Sequence, residues 1–304
     1  MTARTATRLR RSQQRHRRLA TVLCASLAIT GCGTAHSGTA VPDGAAVAEY
    51  VGTKFESALN DLSKDIARQV DKKVRIKRYI RLDERWLDTS IEGARRGSPP
   101  ERAVKILNNK TPADQRVLLE PAGSEVEYML LGGVYSQLAP TPWITLPNAA
   151  DGWECTWSGA QDACKIAQAI SETIKKDARA VLSARSAENG DVEVLGEMSY
   201  DAFFASRVIA LPQDAVEQIR ENFGDRKIKT RLLLTAEGKV KEVALEDKAS
   251  TDAHKLELEM SYTVLGEPSD SDFPPKPKKK DVTALRTKAE VDKFYAGLDK
   301  LHGQ

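Results

Sequence analysis

Residues 254–265 read HKLELEMSYTVL. In an extended chain Leu256, Leu258, Met260, Tyr262 and Val264 share one side, and Lys255, Glu257, Glu259, Ser261 and Thr263 share the other. A period of two with one apolar side marks an antiparallel strand that covers a core with one face and meets water with the other. Just upstream, Lys227 to Thr235 and Lys239 to Glu246 flank Ala236-Glu237-Gly238. That spacing predicts a hairpin whose glycine supplies the positive φ of the turn. Three consecutive one-sided strands therefore set the expectation of an antiparallel sheet with a wet face.

Earlier segments extend the pattern. Val74, Ile76, Ile80 and Leu82 alternate with Arg75, Lys77, Tyr79 and Arg81, and Arg78 interrupts the apolar face. Residues 88–102 are rich in Gly, Arg, Ser and Pro and read as a loop. Ala103 to Leu107, Arg116 to Glu120 and Glu125 to Leu131 are strand candidates, with Val126, Tyr128 and Leu130 on one face of the last. Gly132-Gly133 predicts a tight hairpin with Val134 to Leu138 as the return strand, ended by a short extended run around Trp143 and Ile144. Asp191 to Met198 reads as a further strand.

Helical periods separate these strands. From Ala45 to Val70, the residues Val47, Val51, Phe55, Leu59, Leu62, Ile66 and Val70 recur every three or four positions. Lys165 to Ala184 repeats that stripe with Ile166, Ala169, Ile170, Ile174 and Val181, and a helix opening at Leu211-Pro212 stops near Gly224. Thr287 and Glu290 have capping-box spacing ahead of Val291, Phe294, Tyr295, Leu298 and Leu301. One-sided strands and one-sided helices together predict an α+β fold, the helices lying on the apolar face of the sheet.

The start of the chain fixes an address. Residues 1–31 carry seven arginines and no acid, and the apolar run Leu19 to Ile29 is eleven residues. A membrane-spanning helix needs roughly 20 apolar residues, so this run is too short to be one. It ends in Ile29-Thr30-Gly31-Cys32. A basic start, a short apolar core and small residues before a cysteine form a lipoprotein signal, which makes Cys32 the lipidated residue and the membrane its partner. The expected divisions are residues 1–31 as signal, 32–44 as tether, 45–275 as the domain, and 276–304 as a basic, proline-rich linker with a short amphipathic helix. The twelve residues after Cys32, 33–44, span at most ~40 Å. The expected location is the extracytoplasmic face of a cell membrane.

Removing the signal reverses the charge. The whole chain is +3, but without those seven arginines 39 basic residues face 43 acidic ones. A nucleic-acid partner would want a clustered basic stripe, and that class is set aside. Cys24 leaves with the signal and Cys32 carries lipid, so Cys155 and Cys164 remain as a pair in an oxidising compartment, where disulfides persist. Closing a loop of about ten residues is worth roughly 2.7 kcal/mol on the chain-entropy model. A metal site would need further Cys or His ligands near that pair, which the sequence does not offer.

The sequence offers little for catalysis. Its four histidines are His16, His36, His254 and His302, one in the signal, one in the tether, one at a strand start and one near the end. None is placed as the rigidly held base of a nucleophilic site. No phosphate loop, helical His pair or calcium loop is present, so no catalytic residue, cofactor or metal is assigned. Trp143, Trp153 and Trp157 either line a ligand site or pack beneath the disulfide loop.

Several segments in order carry a resemblance: EVEYMLLGGVYSQL with PWITLP, then RLLLTAEGKVKEVALE, then LELEMSYTVLGEPSDSDFPP. Over residues 115–275 the chain resembles the LolA-like lipoproteins of actinobacteria, the LppX and LprG type. The resemblance implies a curved antiparallel half-barrel, helices over its concave face, and a space between the two that holds lipid acyl chains. It carries over no catalytic or ligand-binding residue. Asp83 to Asp114, the Cys155–Cys164 block and the tail after Phe273 have no counterpart in it. Two functions follow as expectations: a carrier of lipid or another lipophilic ligand, or a protein-interaction or sensory lipoprotein with a filled core and an envelope protein as partner. An unrecognised hydrolase would announce itself by acids with strongly perturbed pKa values in one pocket.

Overall fold

A computed structural model describes residues 44–67, 71–147, 155, 157–177, 180–186 and 189–302. The signal, Cys32, Trp153 and nearly all of the tether lie outside the described residues.

Twelve strands form one curved, unclosed sheet. They are β1 Lys72–Leu82, β2 Arg85–Arg96, β3 Glu101–Asn108, β4 Arg116–Glu120, β5 Val126–Leu131, β6 Trp143–Pro147, β7 Val181–Ser186, β8 Val192–Ser199, β9 Lys227–Leu234, β10 Val240–Ser250, β11 Lys255–Gly266 and β12 Val282–Ala284. Their order is β12-β6-β5-β4-β3-β2-β1-β11-β10-β9-β8-β7. Every pairing is antiparallel except β12 with β6, and among the described residues β12 and β7, at the two ends, each pair on one side only. The first and last long strands, β1 and β11, pair at the centre over ten residues.

Five helices join them: α1 Gly44–Ala67, α2 Gln161–Lys176, α3 Tyr200–Ala205, α4 Gln213–Phe223 and α5 Lys288–His302. They gather on one face, the inner face. The alternation of β11 decides this face. Leu256, Leu258 and Tyr262 are fully buried and Met260 nearly so, while Lys255 and Glu259 are exposed. Register carries the face across the sheet in one row, from Val264 through Val74, Gly93, Val104, Leu118 and Met129 to Ile144. Phe55, Ala58, Leu59 and Leu62 of α1 and Ile166, Ala169 and Ile170 of α2 close over the half of the sheet around β1 and β8–β11. On the other half, Phe294 and Leu298 of α5 close over Met129, Leu131, Ile144 and Leu146. The terminal helix thus docks on its own sheet. Its start is capped as the spacing predicts: the Glu290 carboxylate accepts from the backbone N–H groups of Arg286 and Thr287, each at 2.9 Å.

Four segments differ from expectation. Residues 88–102 are mostly strand, since β2 is paired on both sides. Asp, Ser, Gly and Arg have poor strand propensity, but a central strand is set by its neighbours and its burial. Gly93 has a further reason to be there. A Cβ at Gly93 would lie 3.0 Å from the Gly159 Cα and 3.1 Å from Val74 Cγ2, so only glycine lets the disulfide loop come down on the sheet. The expected return strand Val134–Leu138 is a 3-10 turn, Gly133–Leu138, and the partner of β5 is β6. Gly133 has φ +50°, and a Cβ there would collide with the Asp114 carboxylate that accepts from Val134 N–H at 2.8 Å. The glycine pair thus seats a loop instead of closing a two-residue hairpin.

The expected helix 165–184 ends at Lys176, and Val181 begins the edge strand β7. Val181 sits at helical spacing from Ile174, so the apolar period runs on while pairing with β8 takes the chain. Helix α3 carries no long period, yet Tyr200, Phe203 and Phe204 pack on one another and are buried. Its Tyr200 hydroxyl donates to Asp247 at 2.9 Å, and Arg226 completes that carboxylate's partners at 2.7 Å.

The proline-rich stretch after β11 crosses the outer face. Lys73 meets Asp272 at 2.5 Å, Phe273 is buried with Ala94, Ala103 and Leu119, and Lys276 lies 5.5 Å from the centre of the Tyr128 ring. The chain then reaches β12 beside β6.

Candidate functional site

Between the α1–α2 cover and the α5 cover, the inner face of β3 and β4 is only half closed. Ile106 and Leu118 are partly buried there, and Leu118 touches both apolar clusters. We call this strip the seam. Every second residue of β3 and β4 faces inward: Val104, Ile106 and Leu118 give the floor its apolar part, Arg102 and Glu120 pair at 2.8 Å beside it, and Arg116 completes the set.

Charged side chains stand over that floor. The Arg78 that breaks the apolar alternation of β1 points inward and grips Asp162 with both arms of its guanidinium, one of them at 2.6 Å. Asp162 is 1% exposed and Arg78 22%. The carboxylate sits in the first turn of α2, where the helix dipole also favours negative charge. Lys165 lies one turn further on the same helix face. Burial pulls its pKa down, Asp162 opposes this, and Arg78 and Arg207 add to it.

Arg116 occupies the inner face of β4, opposite Leu131. Its guanidinium lies 5.0 Å from the centre of the Tyr135 ring. Burial lowers its pKa, Tyr135 opposes and Arg78 adds to the lowering. An arginine stays charged regardless, so this is a desolvated cation. No carboxylate among the described residues pairs with it. Tyr295 of α5 stands nearby, its phenol raised by burial and by Glu127, with Arg116 opposing. Glu127 is pushed up to about 7, first by burial and then by the charge of Glu120. Two buried hydroxyls on this face, Thr89 Oγ1 beside Arg78 in register and Thr230 Oγ1, have no hydrogen-bond partner.

The disulfide block forms one wall. Cys155 and Cys164 are bonded, with their Cα atoms 5.8 Å apart. Trp157 packs over Gly93 and Gly159, 9% exposed, so it plugs the space beneath the loop. Trp143 starts β6, in register with Leu130 and Val282. His254 lies outside the seam. Its Nδ1 is 2.9 Å from Asp83, and Gln218 holds both, a clip between two turns and α4. Among the described residues no three His, Cys, Asp or Glu side chains gather as a metal site. No described helix is long and apolar enough to cross a membrane.

Two voids stand out, and both open on the outer face. A trough of about 980 Å³ runs over β8–β11, β1 and β2, among them Lys77, Tyr79, Lys229, Arg231, Glu246 and Glu259. A second, of about 320 Å³, lies beside the crossing segment at Lys73, Glu92, Lys105 and Asp272. Their walls mix apolar side chains with charged groups of both signs. The inner-face core, by contrast, is made of two apolar clusters, one under α1 and α2 and one under α5. Sequence reading put the ligand space between sheet and helices. It singled out the inward break at Arg78 but had no signal for Arg116, whose neighbours come from the 3-10 turn at Tyr135, from α5 and from β1.

No protein-family description matches the chain, and no curated protein matches it. Among solved structures, LprF of Mycobacterium bovis is similar with a TM-score of 0.31 and 11% identity, over 73% of this chain and 97% of that one. Lipoprotein LppX of Mycobacterium tuberculosis is similar with a TM-score of 0.30 and 7% identity, over 73% and 98%. The Pseudomonas aeruginosa MucA/MucB complex gives 0.29 and 11%, over 73% and 61%. These are likenesses of outline, and neither ligand nor partner is taken from them.

Proposed function

We propose that the protein is an envelope lipoprotein, anchored through Cys32 to the extracytoplasmic face of the cytoplasmic membrane, that binds a lipid or other lipophilic ligand along the inner-face seam. The observation that carries this reading is the seam itself: an apolar floor at Ile106 and Leu118 left half-closed between two helical covers. A half-buried apolar strip with a few polar groups at its edge suits an amphiphile better than water. The tether, 32–44, would hold the domain within reach of the bilayer. Native mass spectrometry of the mature chain carrying Cys32→Ser tests the ligand. Co-purified or added acyl ligand on the folded protein is expected. A protein that purifies dry and takes up no added amphiphile would overturn it. Fractionation tests the anchor: Cys32→Ser is expected to move the protein from membrane to soluble fraction.

One observation favours a second reading, recognition of an envelope protein: the open trough of about 980 Å³ on the outer face, lined by apolar side chains and charges of both signs. Crosslinking in the native envelope that traps one protein at Lys77 or Lys229, from a chain with no acyl ligand, would support it over the first.

A further inference from the structure

The outer face carries an apolar row at the β12 end of the sheet. Val117, Leu130, Trp143 and Val282 stand in register across β4, β5, β6 and β12. Their neighbours along the strands, Leu118, Met129, Leu131 and Ile144, face inward, so this row faces outward. All four are half-exposed, and none packs into the buried clusters. At the usual strand spacing the row is about 14 Å long. The exposed Lys105 continues it on β3, in register with Val117, and the void of about 320 Å³ reaches the row at that end.

A run of lysines lies alongside. Lys276 reaches the Tyr128 ring on β5, and the chain then passes Lys278, Lys279 and Lys280 to place Val282 beside Trp143. All four lysines are exposed. The carboxylates around them are mostly engaged: Glu92 by Arg75 at 3.0 Å, Asp272 by Lys73 at 2.5 Å, and Glu101 and Asp270 by Arg96. Asp281, at the end of the run, stands against five lysines. The whole chain divides the same way. Residues 276–304 hold eight basic and four acidic residues, whereas residues 32–275 hold 31 and 39.

We propose that this strip is the face on which the domain rests on an anionic lipid bilayer, with Trp143, Leu130 and Val117 at the headgroup level and Lys276–Lys280 on lipid phosphates. This rests on the membrane-anchor reading and adds which face of the domain meets the bilayer. Tryptophan favours the membrane–water boundary, where its ring is apolar and its N–H is wet. Lysines beside it add attraction to anionic headgroups. A flexible ammonium suits mobile phosphates, whereas lysine is depleted from the surfaces by which proteins bind one another. The tether keeps Cys32 within ~40 Å of Gly44, so the strip meets the surface at high effective concentration and a weak patch suffices.

Vesicle sedimentation of the mature chain carrying Cys32→Ser tests this without the anchor. Vesicles of phosphatidylcholine alone are compared with equimolar phosphatidylcholine and phosphatidylglycerol. Binding to the mixed vesicles, weakening with salt, is expected. The exposed triple Lys278→Gln/Lys279→Gln/Lys280→Gln is expected to weaken it by at least about tenfold. An equal removal of charge from the trough face, Lys77→Gln/Lys227→Gln/Lys229→Gln, is expected to leave it unchanged. Brominated phosphatidylglycerol reads the depth of tryptophan: Trp143→Phe is expected to remove most of the quenching, and Trp86→Phe, at the other exposed tryptophan, to leave it. Equal loss in both lysine triples shows a diffuse charge effect and overturns the strip, as does quenching that follows Trp86. Capture of polyglutamate with no vesicle binding assigns the lysines to an acidic protein and overturns the bilayer. Failure on vesicles leaves the Cys32 anchor standing, because fractionation of the parent chain reads the anchor separately.

Discussion

Arg78 on β1 and Asp162 in the first turn of α2 are 84 residues apart in sequence and joined by two charge-assisted hydrogen bonds, with the carboxylate 1% exposed. The pair pins the helical cover to the middle of the sheet. Removing one partner leaves the other buried and uncompensated, which costs about 3–5 kcal/mol for fully buried pairs. Arg78 keeps some solvent contact, so Asp162→Ala is expected near about 3 kcal/mol. Urea unfolding of the single variants and of Arg78→Met/Asp162→Leu checks this. The double variant is expected to be more stable than Asp162→Ala. Equal loss in both would show that no uncompensated charge is involved.

Gly93 and Trp157 form the second fixed point. A Cβ at Gly93 meets backbone at 3.0 Å and Val74 at 3.1 Å, so Gly93→Ala must push the disulfide loop off the sheet by a few tenths of an ångström. Overpacking of this kind costs about 1–3 kcal/mol. Trp157→Ala leaves a cavity instead, worth about 3–5 kcal/mol. Thermal unfolding is expected to rank Trp157→Ala below Gly93→Ala, and both below the parent. A neutral Gly93→Ala would mean the loop stands away from β2.

These two contacts also show what could be read from the chain and what could not. The strands β1, β9, β10 and β11 follow from alternation alone, because each has one wet face. Arg78 was legible as a break in that alternation, but its partner was not, since nothing local ties residue 78 to residue 162. Strand β2 hid for the opposite reason. Its Gly93 and Ala94 are small because other chain segments press on both faces, Trp157 on one and Phe273 on the other. A sequence shaped by such distant contacts looks like a loop. The seam is a gap between two covers, so it belongs to no segment and has no pattern of its own.

The crossing segment gives a third test. Phe273 sits between Ala94, Ala103, Leu119 and the Arg96 guanidinium, 4.1 Å from its ring centre. It is the anchor that leads the chain from β11 to β12 and α5. Phe273→Ala is expected to cost about 3 kcal/mol. Hydrogen exchange should speed up at Val282–Ala284 before it does at β1. Unchanged protection of β12 would mean that α5 alone holds that edge.

Glu127 gives a pH test whose sign is fixed by its environment. Its carboxyl is pushed from an ordinary 4.5 to about 7 by burial and by Glu120. The folded state therefore holds a proton that the unfolded state has already released between those values, so stability falls as pH rises through that window and levels off above it. The charged form is the unfavourable one in the fold, and above about pH 7 it is fully present. Glu127→Gln keeps the shape and removes the charge. Melting temperatures of parent and variant are expected to converge near about pH 5 and to separate toward about pH 8, with the variant higher. Because α5 brings Tyr295 within reach of the same carboxyl, exchange protection of α5 should follow the same curve in the parent. A parent whose stability is flat across the window, or a variant less stable at the high end, would place the Glu127 carboxylate in water with a counter-ion instead of beneath the helix.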